Sequence, residues 1–220
     1  MTHARTRSFA AALLAAAAVA SAALAPSAAA QGHTHSHSHA PAPAPAPGDT
    51  GRWTPADARF MTLMIGHHAQ AIEMAELAPT RAATPSVRTL AERIINAQRD
   101  EIATMQQWLR DRRQPVPEVH PTAHAAHGPG HAAMPGMLTP EQLAQLERAR
   151  GAEFDRLFLT YMIQHHRGAT RMVSELFSSH GAGQDETVFK FASDVNVDQE
   201  TEIARMQRML AAVMFGSPAP

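Results

Sequence analysis

The sequence contains no cysteine among its 220 residues. In an oxidising compartment this absence excludes disulfide bonds, thiolate metal sites and thiol nucleophiles together. Any soft metal ligand must therefore be a methionine sulfur. The chain has 12 methionines and 14 histidines, which is a generous supply of both thioether and imidazole groups.

Aromatic residues and excess charge are also scarce. Aromatic side chains make up 5% of the chain, so leucine, isoleucine, methionine and alanine must fill any folded interior. The formal net charge is −1 and the basic residues form no run, which gives no argument for a nucleic-acid partner. Strand-like alternation is absent, which favours an all-α fold.

Long apolar runs are absent except at the start of the chain. Arg5 and Arg7 precede an alanine- and leucine-rich run at residues 9–25, and small residues follow up to Ala30. This layout predicts a signal peptide over residues 1–30, with an earlier cut or an uncut anchor as alternatives. No other run approaches the roughly 20 residues of a membrane span. We therefore expect a periplasmic or secreted protein with no stable membrane span after cleavage.

Two segments of low complexity are rich in histidine. Residues 31–51 contain HTHSHSHAPAPAPAP and are predicted to form a disordered tether, and residues 114–138 to form a flexible linker. Compositional drift is one explanation of these histidines, and metal capture is the other. The secondary candidate ligands are His33, His35, His37, His39, His120, His124, His127, His131, Met134 and Met137. A cut after Ala30 would also create an amino-terminal Gln-Gly-His sequence suited to square-planar Cu(II) or Ni(II).

The remaining segments carry helix signals. Thr-Pro pairs begin three helical segments at residues 54, 84 and 139, and Asp57 lies three residues after the first cap. These signals predict one helical hairpin over residues 52–113 and another over 139–216. The expected long helices cover about residues 55–79, 85–112, 152–178 and 185–215.

The two hairpins are copies of one pattern. The segment MIGHHAQAIEM at residues 64–74 recurs as MIQHHRGATRM at residues 162–172, and QRDEIATMQ from Gln98 recurs as QETEIARMQ from Gln199. A pair of helices of about 50 residues cannot bury a core alone. We therefore predict one four-helix bundle with approximate two-fold symmetry.

Helical periodicity turns one histidine of each pair inward. At about 100° per residue, His67 falls in the middle of an apolar stripe, and His165 does so in the second copy. The following residues, His68 and His166, fall at the edge of the stripe, and one interpretation is that they simply face solvent or a groove.

Each partner helix brings a carboxylate to its apolar face, Glu101 in the first copy and Glu202 in the second. An unpaired buried polar group costs roughly 1–3 kcal/mol, so these groups must pair with each other or with a bound species. One interpretation is a pair of buried His–Glu hydrogen bonds that fix helix register. The other is convergence of imidazole, thioether and carboxylate on a metal ion, where the absence of thiolate favours copper, or silver as its mimic, and leaves zinc open.

The pattern MIxHHxxAxxM, followed by an EIxxMQ helix and then repeated, resembles an exported bacterial family, the domain of unknown function numbered 305. The resemblance covers about residues 56–109 and 154–210. It implies a ferritin-like four-helix bundle and, from some members, copper binding and copper tolerance outside the cytoplasm. With the two glutamates, the candidate metal ligands in the bundle are Met64, His67, His68, Met74, Glu101, Met105, Met162, His165, His166, Met172, Glu202 and Met206. Arg171 replaces Glu73 in the second copy, which favours the first copy as the better site.

These observations predict an exported metal-binding protein that sequesters or transfers copper, as Cu⁺ or Cu²⁺, in the periplasm. Its partners would be metal ions, together with other copper-handling proteins of the envelope. An envelope structural or interaction module with buried His–Glu pairs and no metal is the alternative. A ferritin-like oxidase is less favoured because di-iron sites need Glu-x-x-His pairs, which the helices lack. We assign no catalytic residue. Imidazole ligands with an ordinary pKa near 6.5 would release metal in mild acid.

Overall fold

The computed structural model describes residues 53–118 and 134–216. Within these ranges the chain forms helices and no β-strand, so the predicted all-α bundle is confirmed, and no described helix is long and apolar enough to cross a membrane. The predicted signal peptide, the tether and residues 119–133 of the linker lie outside the described residues. The helices are α1 (Pro55–Glu76), α2 (Ala78–Arg81), α3 (Pro85–Asp111), α4 (Pro140–Arg148), α5 (Gly151–Ser178) and α6 (Glu186–Phe215).

Side-chain caps explain where the helices begin. The Thr54 hydroxyl accepts a hydrogen bond from the Asp57 backbone N–H, and the Asp57 carboxylate accepts one from the Thr54 N–H at 2.7 Å. Thr84 and Thr139 cap α3 and α4 with their hydroxyls in the same position. Each such cap stabilises a helix by about 1 kcal/mol.

The four long helices pack as two hairpins, α1 on α3 and α5 on α6, which meet through α1 and α5. Two equivalent aspartates link the halves. Asp57 on α1 accepts a hydrogen bond from Gly183 N at 2.7 Å, in the turn before α6. Asp155 on α5 accepts hydrogen bonds from Ala83 N and Thr84 N at 3.1 and 2.9 Å, in the turn before α3. An aspartate of each half therefore accepts hydrogen bonds from the turn between the helices of the other half, as the approximate two-fold symmetry requires.

The end of the predicted flexible linker departs from expectation. Residues 134–138, which we call the strap, lie against the bundle, with Met134 and Leu138 buried among core side chains. The Gln70 side chain accepts a hydrogen bond from Leu138 N at 2.8 Å and donates one to Leu138 O at 3.2 Å. Burial of two apolar side chains and satisfaction of the backbone by Gln70 explain why this part of the linker is fixed.

Candidate metal centre

The two inward-facing histidines meet where the hairpins join. His67 on α1 and His165 on α5 are both fully buried, and their ring centroids lie 3.9 Å apart with a tilt of 39°. The two rings occupy equivalent positions of the repeat. The helical period therefore predicted their direction, and the pairing of α1 with α5 brings them together.

Most nitrogens of this histidine pair make no hydrogen bond to the described residues. His67 Nε2 lies 3.1 Å from the Pro135 carbonyl oxygen and donates to it, because a carbonyl can only accept. Nδ1 of His67 and both ring nitrogens of His165 are buried and make no hydrogen bond within the described part of the chain. Each such buried group costs roughly 1–3 kcal/mol, so the pair is suited to a bound electrophile.

Burial keeps both rings neutral. It lowers the pKa of His67 from its usual value to about 3; the charge of His68 adds to this effect, and the Pro135 carbonyl opposes it. Burial also lowers the pKa of His165 well below 6.5, and the neighbouring histidines add to that effect, led by His67. A neutral imidazole keeps one nitrogen lone pair, which is what metal coordination requires.

One interpretation placed the second histidine of each pair at the edge of the stripe, facing solvent or a groove, and that interpretation is wrong. His68 and His166 are fully buried because α1 and α5 each bury two faces, one against the other and one against the partner helix. His166 Nε2 lies 2.8 Å from Glu202 Oε2 in hydrogen-bonding geometry. His68 Nε2 lies 2.7 Å from Glu101 Oε2, but off the direction of a hydrogen bond.

The sequence interpretation paired these glutamates with the inward histidines His67 and His165. The structure places them beside His68 and His166 instead, and only the His166–Glu202 pair has hydrogen-bonding geometry. Glu101 and Glu202 do not sit at the centre of the core, since their side chains remain 19% and 18% exposed. The described residues contain no group of three or more histidine, aspartate or glutamate side chains placed to share an ion. A zinc site of imidazole and carboxylate ligands is therefore not assembled in this part of the chain.

The predicted methionine ligands are all buried and fall into two sets. One apolar cluster contains Met64, Met105 and Met172, and the other contains Met74, Met162 and Met206. The repeat relates one set to the other, because each methionine of the first set has its equivalent in the second. Each set therefore contains two methionines from one half of the chain and one from the other half. Met64 and Met162 lie one helical turn before the paired histidines and therefore on the same face.

The strap adds sulfur to the first of these sets. Met134 belongs to that cluster, and Met137 packs at its margin. The other secondary candidates, the histidines of the tether and of residues 120–131, lie outside the described residues. Buried imidazole nitrogens without a hydrogen bond in the described ranges, and thioethers one helical turn away on the same faces, are donor types that fit Cu(I) or Ag(I), because soft sulfur ligands select such ions.

Sequence reasoning missed the residues that hold the strap. Gln70 and Gly168 occupy equivalent positions of the repeat, yet only Gln70 has a side chain that can bind the strap backbone. Added at Gly168, a Cβ would lie 2.0 Å from the Pro135 carbonyl oxygen. In the sequence, the only sign of this contact is that glycine in the second copy replaces the glutamine of the first. A glycine inside a helix can indicate that another segment approaches the helix closely at that point.

Comparison with known proteins agrees with the fold and with the motif. Residues 57–210 match the family model described as the domain of unknown function DUF305. The chain belongs to the DUF305 family. A crystal structure of a DUF305 fragment from Deinococcus radiodurans is 31% identical, with a TM-score of 0.62, and the match covers 72% of this chain and 97% of that one. No curated protein matches the sequence.

Other solved structures extend the comparison. A DUF305 protein from Streptomyces coelicolor, described as secreted, is 28% identical with a TM-score of 0.61, covering 75% of this chain and 95% of that one. CopM in its Cu(I)-bound form is 30% identical with a TM-score of 0.55, covering 75% of this chain and 100% of that one. CopM has also been solved with Cu(II), with silver and in the apo form. This chain is therefore similar to proteins that include a binder of copper and silver.

Proposed function

We propose that this DUF305 protein is an exported copper-binding protein that sequesters or transfers Cu(I) in the periplasm. The observation that carries the proposal is the buried pair of His67 and His165, with three ring nitrogens that make no hydrogen bond to the described residues. A packing role alone would leave these polar atoms uncompensated. The ion would be cargo held by the bundle.

The donor chemistry supports a soft ion. His67 and His165 would supply neutral nitrogen ligands, and Met64 and Met162 would supply thioether sulfur from the same faces of α1 and α5. Two or three such ligands suit Cu(I), whereas Ca²⁺ and Mg²⁺ require oxygen ligands in larger numbers. The resemblance to CopM, solved with Cu(I), Cu(II) and silver, supports the same choice.

The leader-like first 30 residues support the proposed location, and the secreted description of the Streptomyces coelicolor protein agrees with it. Mass spectrometry of the exported protein tests this part. A mature chain that begins at Gln31 with a free amine is expected. A first residue upstream of Arg5 would contradict export by cleavage.

An anaerobic titration of Cu(I) against a competing chelator tests copper binding. The full mature chain should be compared with a chain lacking residues 31–51, which separates the bundle from the tether. A His67→Phe/His165→Phe double variant keeps two adjacent rings and removes the nitrogens. We expect it to lose at least the tightest Cu(I) ion, whereas His180→Phe, at an exposed histidine, should bind as the wild type does.

The two His–Glu pairs favour a second candidate function, a metal-free structural or interaction module of the envelope. Metal analysis of protein purified from copper-supplemented cells separates the two. Copper that co-purifies with the wild type and not with the double variant supports the first proposal. A metal-free wild type that recovers an envelope partner in a pull-down supports the second.

A further inference from the structure

The approximate symmetry of the bundle breaks at the histidine pair. The strap passes over His67 and places the Pro135 carbonyl 3.1 Å from its Nε2. Within the described ranges neither ring nitrogen of His165 makes a hydrogen bond of normal geometry, and the backbone group that raises its pKa belongs to His67 on α1 rather than to the strap. Two residues that the repeat makes equivalent therefore have different surroundings.

The contact with the strap fixes the proton on His67. Since a carbonyl oxygen cannot donate, Nε2 carries the hydrogen and Nδ1 carries the lone pair of the neutral ring. Nδ1 is buried and makes no hydrogen bond to the described residues. Histidines that bind metals usually donate the other ring N–H to a carbonyl or carboxylate, which fixes the tautomer and raises the basicity of the ligand.

We infer that the strap is a positioning element which makes Nδ1 of His67 the nitrogen that accepts the metal ion, while His165 completes the site from the opposite half. This inference rests on the proposed function and adds to it the ligand atom and the device that selects it. The two copies of the motif then have different roles. His67 is oriented before the ion arrives, and His165 turns to meet it.

Three features hold the strap in the position that this role requires. Gln70 binds both backbone groups of Leu138. On α5, the Gln164 side chain lies 3.4 Å from the carbonyl oxygens of Gly136 and Met137. Gly168 provides the space, because any side chain there would collide with Pro135.

Long-range ¹H–¹⁵N correlation spectroscopy of the histidine rings tests the inference, with the diamagnetic ion Ag(I) as the probe. The signals of His67 are identified by their loss in His67→Phe. In the metal-free protein we expect a protonated Nε2 and an unprotonated Nδ1 at His67. On adding one equivalent of Ag(I), Nδ1 should shift strongly upfield while Nε2 keeps its proton.

The outcomes separate the inference from the function on which it rests. A silver-dependent shift at Nε2 of His67, or a metal-free protein protonated at Nδ1, overturns the inference and leaves copper binding intact. A shift at no bundle histidine contradicts the proposed function and the inference with it. A shift confined to histidines of the tether and linker has the same consequence.

Variants test the role of the strap. Gly168→Ala should displace the strap, so that the His67 nitrogens lose their single tautomer and Ag(I) affinity falls by about 10- to 100-fold, the usual effect of removing an orienting partner. Ser174→Ala, an exposed change on the same helix, is the matched control. Gln70→Ala releases Leu138 without inserting an atom and serves if Gly168→Ala does not fold. An unchanged tautomer and affinity in a variant whose strap is displaced would overturn the inference.

Discussion

The imidazole rings of His67 and His165 lie 3.9 Å apart, although the two residues are 98 positions apart in the sequence. They occupy the same position in two copies of one motif, so the two copies meet at the histidine that each buries on its apolar face. Within residues 53–118 and 134–216 neither ring is paired with a carboxylate, in contrast to His68 and His166. The bundle thus separates histidines that lie beside a glutamate from histidines that are suited to a ligand.

The stability of the metal-free protein should depend on pH through this pair. The pKa of His67 is lowered to about 3 in the folded state, while the unfolded chain keeps about 6.5. Between these values the unfolded state binds more protons, so the free energy of unfolding should fall as the pH drops below 6.5. The slope is about 1.4 kcal/mol per pH unit for each such histidine. Urea denaturation between pH 7.5 and 4.5 measures it, and His67→Phe/His165→Phe should show a smaller slope; an equal slope would contradict the assignment.

The same lowered pKa changes the expected release of metal in mild acid. Sequence reasoning assigned an ordinary pKa to the core histidines, and that assignment is wrong for His67 and His165 because both are fully buried. Protons compete weakly for such rings, so copper in the bundle should remain bound at pH 5. Copper on the histidines of the tether should be released there. Competition titrations at pH 7.5 and 5, with and without residues 31–51, measure the difference; loss of all copper at pH 5 would argue against interior ligands.

The two methionine sets should contribute to copper affinity. Leucine is close in volume to methionine, and each exchange usually costs less than about 1.5 kcal/mol of stability. Loss of the sulfur ligands should weaken Cu(I) binding by about tenfold or more, since that factor corresponds to only about 1.4 kcal/mol. The variants to titrate are Met64→Leu/Met105→Leu/Met172→Leu and Met74→Leu/Met162→Leu/Met206→Leu. Met214→Leu, at a residue 57% exposed, is the control, and equal affinity in all three variants would show that sulfur is not a ligand.

Gly168→Ala should destabilise the protein, contrary to the usual preference for alanine over glycine inside a helix. In a helix interior, Ala is normally favoured over Gly by roughly 0.5–1 kcal/mol. Here the new Cβ would lie 2.0 Å from the Pro135 carbonyl oxygen, so the strap must move. Overpacking of this kind costs typically about 1–3 kcal/mol. Thermal unfolding measures the sign of the change, and a gain in stability would show that the strap is not held there.

The reciprocal aspartates should contribute to stability from both sides of the bundle. Asp155→Ala leaves Ala83 N and Thr84 N without their acceptor, and about 1–3 kcal/mol should be lost. Asp57→Ala should cost a similar amount, because it removes the acceptor of Gly183 N and part of the α1 cap. Asp100→Ala, at an exposed position, is the matched control for urea denaturation. A loss no larger than that of the control would contradict the reciprocal arrangement.

Much of the fold follows from local patterns in the sequence. Thr54, Thr84 and Thr139 each combine a capping hydroxyl with a following proline, and the helices begin there. The repeat required two hairpins to share one core. The helical period turned His67 and His165 inward, because an apolar stripe of that width must be buried.

The remaining features depend on contacts between distant segments. His68 and His166 are buried because α1 and α5 each bury two faces, which a single stripe does not reveal. The first helix was expected to reach about Pro79, but it ends at Glu76, and a separate turn of helix, α2, contains Pro79. The strap was read as flexible because Pro and Gly surround its methionines. Only the tertiary structure shows Gln70 and Gly168 accommodating it.

Anomalous scattering from crystals loaded with Cu(I) under anaerobic conditions tests the central claim most directly. We predict a copper peak inside the bundle, within bonding distance of Nδ1 of His67 and a nitrogen of His165, with methionine sulfur completing the ligands. Peaks confined to histidines outside the bundle, with the His67–His165 rings still in contact and free of metal, would contradict the account.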